Sequence, residues 1–281
     1  MMLIVRKFLR DVAAVLGFVI ICVVIGIAIF GPFLLPHPDL VFDSDILRRF
    51  EPPSAEFWFG TDNLGRDIFS RVIIGTRGAL MVALTVVAIA IAIGVPLGIY
   101  AGYTTGWPAE VIMRVTDVFL AVPQLILALA IAQLAGRGLG SAMAALALTY
   151  WPFFCRTVYA ETRRLRHTVF IEALQGLGAS KTRILFVHVL PNVASPIIVR
   201  ATVGMGFTIL TTALLGFLGV GATPPNPDWG LAIAESREYL PDVWWAATFP
   251  GLAILITVLG FNLFGDGLRD LIDPKLRRSR S

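Results

Sequence analysis

Apolar runs separated by shorter polar segments set the pattern of this chain. Residues 12–35, 79–103, 118–135, 139–160, 193–219 and 243–263 are each predominantly apolar. At 1.5 Å per helical residue, runs of this length reach across about 30 Å of hydrocarbon, so the pattern predicts six transmembrane helices. Pro96 and Pro123 lie inside two of these runs, and Trp151-Pro152 interrupts a third. Such prolines mark bends, tolerated where neighbouring helices or water satisfy the freed carbonyls. Residues 36–78 read as a polar, turn-rich loop of real size.

One stretch breaks the alternation. Residues 172–191, EALQGLGASKTRILFVHVLP, are amphipathic and charged, yet sit between two membrane-length runs. Ile171, Leu174 and Leu177 recur at helical spacing, as do Ile184, Leu185 and Val189. Gly178 suits the positive φ that stops a first short helix, and Ser180 suits the cap of a second. Pro191 fits the first turn of a following helix. The pattern predicts a bent pair of helices lying on a surface, where a partner would meet them.

Composition sharpens this picture. A mean hydropathy of +0.79, with 57% apolar and 15% charged residues, lies far from soluble globular chains and specifies an all-α polytopic membrane protein. The N-terminal run is longer than a secretory signal core and leads into Pro36-His37-Pro38, so it reads as a retained helix. The net charge of +4 is spread between apolar runs rather than gathered into a nucleic-acid patch. With the N-terminus inside, fifteen Lys and Arg fall in cytoplasmic segments and seven in outer ones, Arg200 remaining within a run. Both termini and residues 172–191 are therefore expected in the cytoplasm, and residues 36–78 and 221–242 outside. Small residues, as in 88–94 and Gly204-Met205-Gly206, allow close helix packing.

Candidate chemistry is sparse. Cys22 and Cys155 lie in apolar surroundings, and His37, His167 and His188 are far apart, so no metal set or cofactor is expected. Neither a nucleophile turn nor a Gly-rich Lys-Ser/Thr phosphate loop occurs, which speaks against an intramembrane enzyme and against ATP binding by this chain. An ion-coupled carrier would place acidic residues in its spans, and these are almost free of them. Arg200 has three readings: contact with a carboxylate in a translocation path, snorkelling, or pairing with a second subunit. Arg114 and Asp117, three apart, are expected to form a local ion pair. Asp62, Arg66 and Asp67 either fold the outer loop or seat a partner above it.

Four separated motifs resemble one family. Glu172-Ala173-Leu174, Gly178 and Leu190-Pro191 resemble the cytoplasmic loop motif of bacterial binding-protein-dependent ABC importers. That motif runs Glu-Ala-Ala, three residues, Gly, nine residues, an apolar position, one residue and Leu-Pro; Leu174 and His188 depart from it. Phe59-Gly60-Thr61-Asp62-Asn63-Leu64-Gly65-Arg66-Asp67, then Met113-Arg114-Val115-Thr116-Asp117 with Pro123, then 261–270 with Asp273-Pro274, are similar to the shorter permease subunit of the dipeptide/oligopeptide/nickel group.

The resemblance implies a type I importer permease fold with a cytoplasmic coupling helix within 161–191. It also implies an N-terminal region over 1–78, a transmembrane domain over 79–268 and a basic tail over 269–281. The implied partners are a second permease subunit, two ATP-hydrolysing subunits and an extracytoplasmic solute-binding protein, in a bacterial inner membrane. Peptides are the implied cargo, with nickel, glutathione, opines or oligosaccharides as alternatives. Glu172 is implied to pair with a basic group of the ATPase, although it equally suits a solvated or capping role.

Overall fold

The computed structural model describes residues 8–136 and 138–272, so Arg6, Lys7, Arg137, Asp273-Pro274 and the rest of the basic tail lie outside the described residues. Among the described residues the regular structure is helical, with one isolated bridge between Thr61 and Asp67. The longer elements are α1 (Val12–Phe30), α2 (Ile68–Tyr103), α3 (Trp107–Ala121), α4 (Gln124–Ala135) and α5 (Leu139–Arg166). They are followed by α6 (Val169–Gly176), α7 (Lys181–Phe217), α8 (Trp229–Ser236) and α9 (Trp244–Ile272).

Four helices, α1, α2, α7 and α9, are both long and apolar enough to cross a membrane, and the α3–α4 pair makes five if counted as one broken span. The count of six predicted from the sequence is thus not reproduced by length and apolarity together. The remaining run is α5, which spans 28 residues but carries Arg156, Glu161, Arg163, Arg164 and Arg166. These charges all lie in its C-terminal half, with Arg156, Arg163 and Arg164 exposed, while Ala142, Leu146, Thr149, Phe154 and Val158 are buried, so α5 packs on protein around much of its circumference.

α1 is apolar all round. Ala14, Gly17, Ile21, Val24 and Ala28 face the bundle, mainly α9, while Val12, Leu16, Val19 and Val23 stand exposed at helical spacing on the other side. Exposed apolar residues in such a continuous face suit lipid, not water.

One predicted start is corrected, and of two expected proline breaks one forms and one does not. α2 begins at Ile68, not at 79, and continues through residues 78 and 79. Asp67 caps it by accepting from Ser70 N at 3.1 Å, and in its first turns Arg71 donates to the carbonyls of Val41 and Pro225 and Thr76 to that of Val72, which the hydropathy pattern could not reveal. The run 118–135 is broken at Pro123, where α3 and α4 meet at 91°. Val122, at φ −94° and ψ 132°, has the extended backbone that a following proline imposes. By contrast α5 continues straight through Pro152. There Trp151, Phe154, Cys155 and Val158 are buried, many against α2, and that packing holds the helix across the missing hydrogen bond.

The α2–α5 contact depends on Gly94, Gly98 and Gly102, one per turn. A Cβ on each would lie 2.5 Å from Trp151 O, 2.6 Å from Cys155 O and 2.7 Å from Thr162 Cβ. The absence of side chains lets the backbones touch, which is how helices associate in lipid.

Candidate functional site

The bent amphipathic stretch forms where its sequence predicts, except that Leu177 falls beyond the first helix and is 84% exposed instead of sharing the face of Ile171 and Leu174. α6 runs from Val169 to Gly176, and its first turn buries Ile171 while leaving Val169, Phe170, Glu172 and Ala173 exposed. Ile171 and Leu174 pack into a cluster with Val95, Ile99, Tyr103, Val158, Ile184, Val189 and Val193, so α6 is seated against the ends of α2, α5 and α7. Gln175 Nε2 donates to Tyr103 Oη at 2.9 Å, tying α6 to the last residue of α2.

Gly178 ends this helix with φ +77°. Its N–H donates to Gln175 O, and Ala179 N–H to Leu174 O, both at 3.0 Å. This six-to-one closure requires a left-handed residue, which a side chain disfavours. Nothing lies within 4 Å of the place a Cβ would occupy, so the demand at Gly178 is conformational and not steric. Ser180 then caps α7, its Oγ accepting from Arg183 N at 3.3 Å.

α7 opens with a π-helical turn over Ile184–Val189, then continues as α-helix through Leu190 and Pro191. The wider turn re-aims the side chains ahead of the span, and π turns of this kind concentrate at functional sites. His188 is half-buried and meets Phe170 edge-on at 5.5 Å between ring centres, so it clamps α6 to α7. Leu190 is half-buried and Pro191 exposed.

Around this pair of helices, Val169, Phe170, Leu177, Phe186 and Val187 are between 53% and 84% exposed. Glu172 stands among them, its carboxylate without a hydrogen bond or ion pair among the described residues, so it does not cap a local turn. The surface is apolar, rigidly backed and carries one free carboxylate.

Arg200, on α7, faces α5: its guanidinium lies 5.1 Å from the centre of the Phe153 ring, and its buried Nε has no hydrogen-bond partner. The expected Arg114–Asp117 pair is absent. Arg114 instead meets Glu110 at 3.4 Å, one turn back, and Asp117 meets Arg156 of α5 at 2.8 Å. The i,i+4 neighbour and the packed partner helix both offered better geometry than the i+3 position.

At the opposite end of the bundle, Asp62, Arg66 and Asp67 fold the 36–67 loop, as one of the two sequence readings has it. Arg66 is 1% exposed and donates to Asp62 Oδ2 and to Glu235 Oε2, each at 2.7 Å. Asp62 Oδ1 also accepts from Leu64 N and Arg66 N, closing a tight turn. Arg71 Nη1 donates to Val41 O at 2.6 Å and Pro225 O at 3.1 Å, so it joins the two loops that flank it. Trp245 Nε1 donates to Thr61 O and Trp229 Nε1 to Val72 O, while Phe59 stacks on Phe249 at 3.9 Å. Asp228 caps α8 by accepting from Leu231 N at 2.8 Å; burial pushes its carboxyl up, and the backbone N–H groups and Arg71 only partly offset this. These residues make one cap from segments 36–67 and 220–246. Glu235 was not singled out by sequence reasoning, since its partner is 169 residues away.

The long apolar helices, the buried charged cap at one end and the exposed apolar helix pair at the other define a polytopic membrane protein. Comparison with known proteins makes this specific. The chain belongs to the family of binding-protein-dependent transport system inner membrane components, whose profile matches residues 94–278. A second profile, the N-terminal transmembrane domain of oligopeptide transport permease C, matches residues 1–53.

Similar curated proteins include the dipeptide transport system permease protein DppC of Alkalihalophilus pseudofirmus, 42% identical over 97% of this chain and 89% of that protein. The probable D,D-dipeptide transport system permease protein DdpC of Escherichia coli K12 is 43% identical over 92% of this chain and 86% of that protein. The glutathione transport system permease protein GsiD of Pectobacterium atrosepticum is 42% identical over 97% and 90%. Among solved structures, an inward-facing MetNI methionine ABC transporter chain superposes with a TM-score of 0.60 over 73% of this chain and 98% of its own, at 18% identity. The importer permease fold is therefore that of this chain, a multi-pass inner membrane component of a binding-protein-dependent transport system.

Proposed function

We propose that this chain is one of two permease subunits of an ATP-driven peptide importer and that residues 172–191 are its coupling element. In this reading two ATP-hydrolysing subunits dock on α6 and the start of α7. A solute-binding protein delivers cargo at the cap, and a second, similar permease completes the path. Both termini and α6 lie in the cytoplasm, in keeping with the excess of Lys and Arg there. The cargo class, dipeptides or other short peptides such as glutathione, follows the relatives named for such cargo. The chain itself does no chemistry on ATP; hydrolysis belongs to the partner subunits.

The observation that carries the proposal is the exposed apolar face of Val169, Phe170, Leu177, Phe186 and Val187 around an unpaired Glu172. Such a face is costly in water and fits a groove, and a carboxylate at its centre fits an Arg or Lys of the partner through a charge-assisted hydrogen bond. Because α6 is packed on α2, α5 and α7 at once, displacement of α6 moves the ends of three spans together, as rigid-body alternating access requires. ATP binding biases the transporter only through contacts that differ between its inward- and outward-open states, and this element is positioned to carry them.

The test is Gly178→Pro, with Gly178→Ala beside it. A proline cannot adopt φ +77°, and alanine there costs about 1–2 kcal/mol of local conformational energy. The variants should reach the membrane in normal amount, while co-purification of the ATPase and peptide uptake fall, more for Pro than Ala. Unchanged uptake in Gly178→Pro refutes the coupling role.

A further inference from the structure

Arg200 lies near the middle of α7, at a depth where an unpaired charge facing lipid is costly. No carboxylate among the described residues pairs with it. α7 contains no Asp or Glu, Glu161 of α5 is held by Arg164 at 2.8 Å, and Asp117 by Arg156 at 2.8 Å. The guanidinium ends against Phe153, 5.1 Å from the ring centre, so it stays at depth among its neighbours and does not snorkel to the helix end. Its Nε is buried without a hydrogen-bond partner, which closes the side-on edge of the fork. The two Nη groups make no hydrogen bond or ion pair among the described residues either, and neither is sealed off as Nε is. The end-on pair of donors is therefore open.

The surroundings of this cation are aromatic and neutral. The rings of Phe153 and Tyr150 lie 5.6 Å apart, and Tyr150 stacks on Phe207 of α7 at 6.0 Å. From Arg200 the exposed residues Phe207, Leu210 and Leu214 follow at spacings of seven, three and four, one face of α7 that this chain leaves uncovered. A charge at such depth on such a face meets a partner or a water-filled path, not lipid.

We propose that Arg200 receives the carboxylate of the peptide cargo as it crosses, bound end-on through the two Nη groups; this rests on the importer reading above. An open guanidinium edge sets two N–H donors against two carboxylate oxygens. Short peptides differ in their side chains but share a terminal carboxylate. One cation among apolar rings therefore accepts them without reading their sequence. A fixed acid on the second permease would instead tie the two subunits together at the depth where they must part.

The experiment uses the complete permease–ATPase complex in nanodiscs, without the solute-binding protein, whose own selectivity would mask that of the permease. Binding of dialanine and of dialaninamide is followed by saturation-transfer NMR. The parent should bind dialanine roughly tenfold or more tighter than the amide, the worth of a charge-assisted hydrogen-bonded pair. Arg200→Gln should weaken dialanine by about that factor and dialaninamide not at all, a split that a merely structural role would not produce. Arg200→Lys should keep much of the preference. No binding of dialanine by the parent, or equal binding of the two peptides, overturns the proposal. So does an Arg200→Gln complex that weakens both peptides alike or leaves dialanine unchanged. Loss of the second permease from the purified Arg200→Gln complex overturns it too, and assigns Arg200 to the subunit interface. Uptake by the intact parent importer is measured alongside. Uptake of dialanine with equal binding of the two peptides sinks this inference alone, whereas no uptake of dialanine or glutathione sinks the importer reading and this inference with it.

Discussion

Arg66 offers the sharpest test of how the cap is held. Its side chain is 1% exposed and divides its donors between Asp62 and Glu235, each at 2.7 Å, with side chains of the partners 11% and 21% exposed. Replacing it by methionine fills the space but leaves Glu235 without its cation and Asp62 with only Arg71, at 3.8 Å. Breaking a buried ion pair by removing one partner costs about 3–5 kcal/mol; the partial solvation of Glu235 places the expectation near 3. At 1.4 kcal/mol per tenfold, that is a rise of roughly a hundredfold in the population of opened cap. Hydrogen exchange of amides 60–67 and 229–236 in nanodiscs reads this opening directly. Glu235→Gln alone should cost less, about 1–2 kcal/mol, because Arg66 keeps Asp62. The double variant should cost less than the sum of the two, since the orphaned Glu235 charge is gone. Unchanged protection in Arg66→Met, or strict additivity in the double variant, would refute the view that this triad closes the cap.

Gly98→Val should drive α2 from α5, since even its Cβ would meet Cys155 O at 2.6 Å; an overpacking cost of about 1–3 kcal/mol is expected as earlier thermal aggregation in detergent. Gly140→Ala, where a Cβ meets nothing within 4 Å, is the neutral control, and equal behaviour of the two would overturn the packing argument. Asp228→Asn tests the half-buried residue that caps α8. Because burial raises the folded-state pKa of Asp228, folding favours its protonated form. Its contribution to stability is therefore full below the ordinary carboxylate range and is lost as pH rises through the raised value. Asparagine keeps an acceptor for the Leu231 N–H without that dependence. From about pH 4 upward the parent should lose thermal stability relative to the variant, and parallel profiles would contradict the sign.

How much of this was legible in the sequence depended on how local its cause was. The Gly178 stop, the Ser180 cap and the facing of Ile171 and Leu174 are written within one or two turns, and they appear where expected. The α2 start was hidden because Ser70, Arg71 and Arg77 lower the local hydropathy, while the partners of Arg71 lie 30 and 154 residues away. Two prolines with the same local signal gave opposite outcomes. Pro123 has partly exposed neighbours and breaks its run, whereas Pro152 is buried among residues packed on α2 and does not. Asp117 likewise chose Arg156, a tertiary neighbour, over the residue one turn away. In each case tertiary burial settled what local spacing left open.

One element joins the two ends. α2 begins at the cap, where Arg71 holds the carbonyls of Val41 and Pro225, and ends at Tyr103, which accepts from Gln175 of α6. At 1.5 Å per residue its 36 residues span about 54 Å, more than the hydrocarbon thickness, so a single helix touches both the cap and α6. Pro96 removes one hydrogen bond near its middle, which would make an isolated helix bend there. The Gly94, Gly98 and Gly102 contacts lie on either side of that proline and press the helix against the backbone of α5. Stiffness at Pro96 is therefore borrowed from α5, and a displacement applied at α6 reaches the cap only while that contact is closed. In the proposed coupling role of α6, the α2–α5 seam is therefore the part of the molecule through which its two ends communicate.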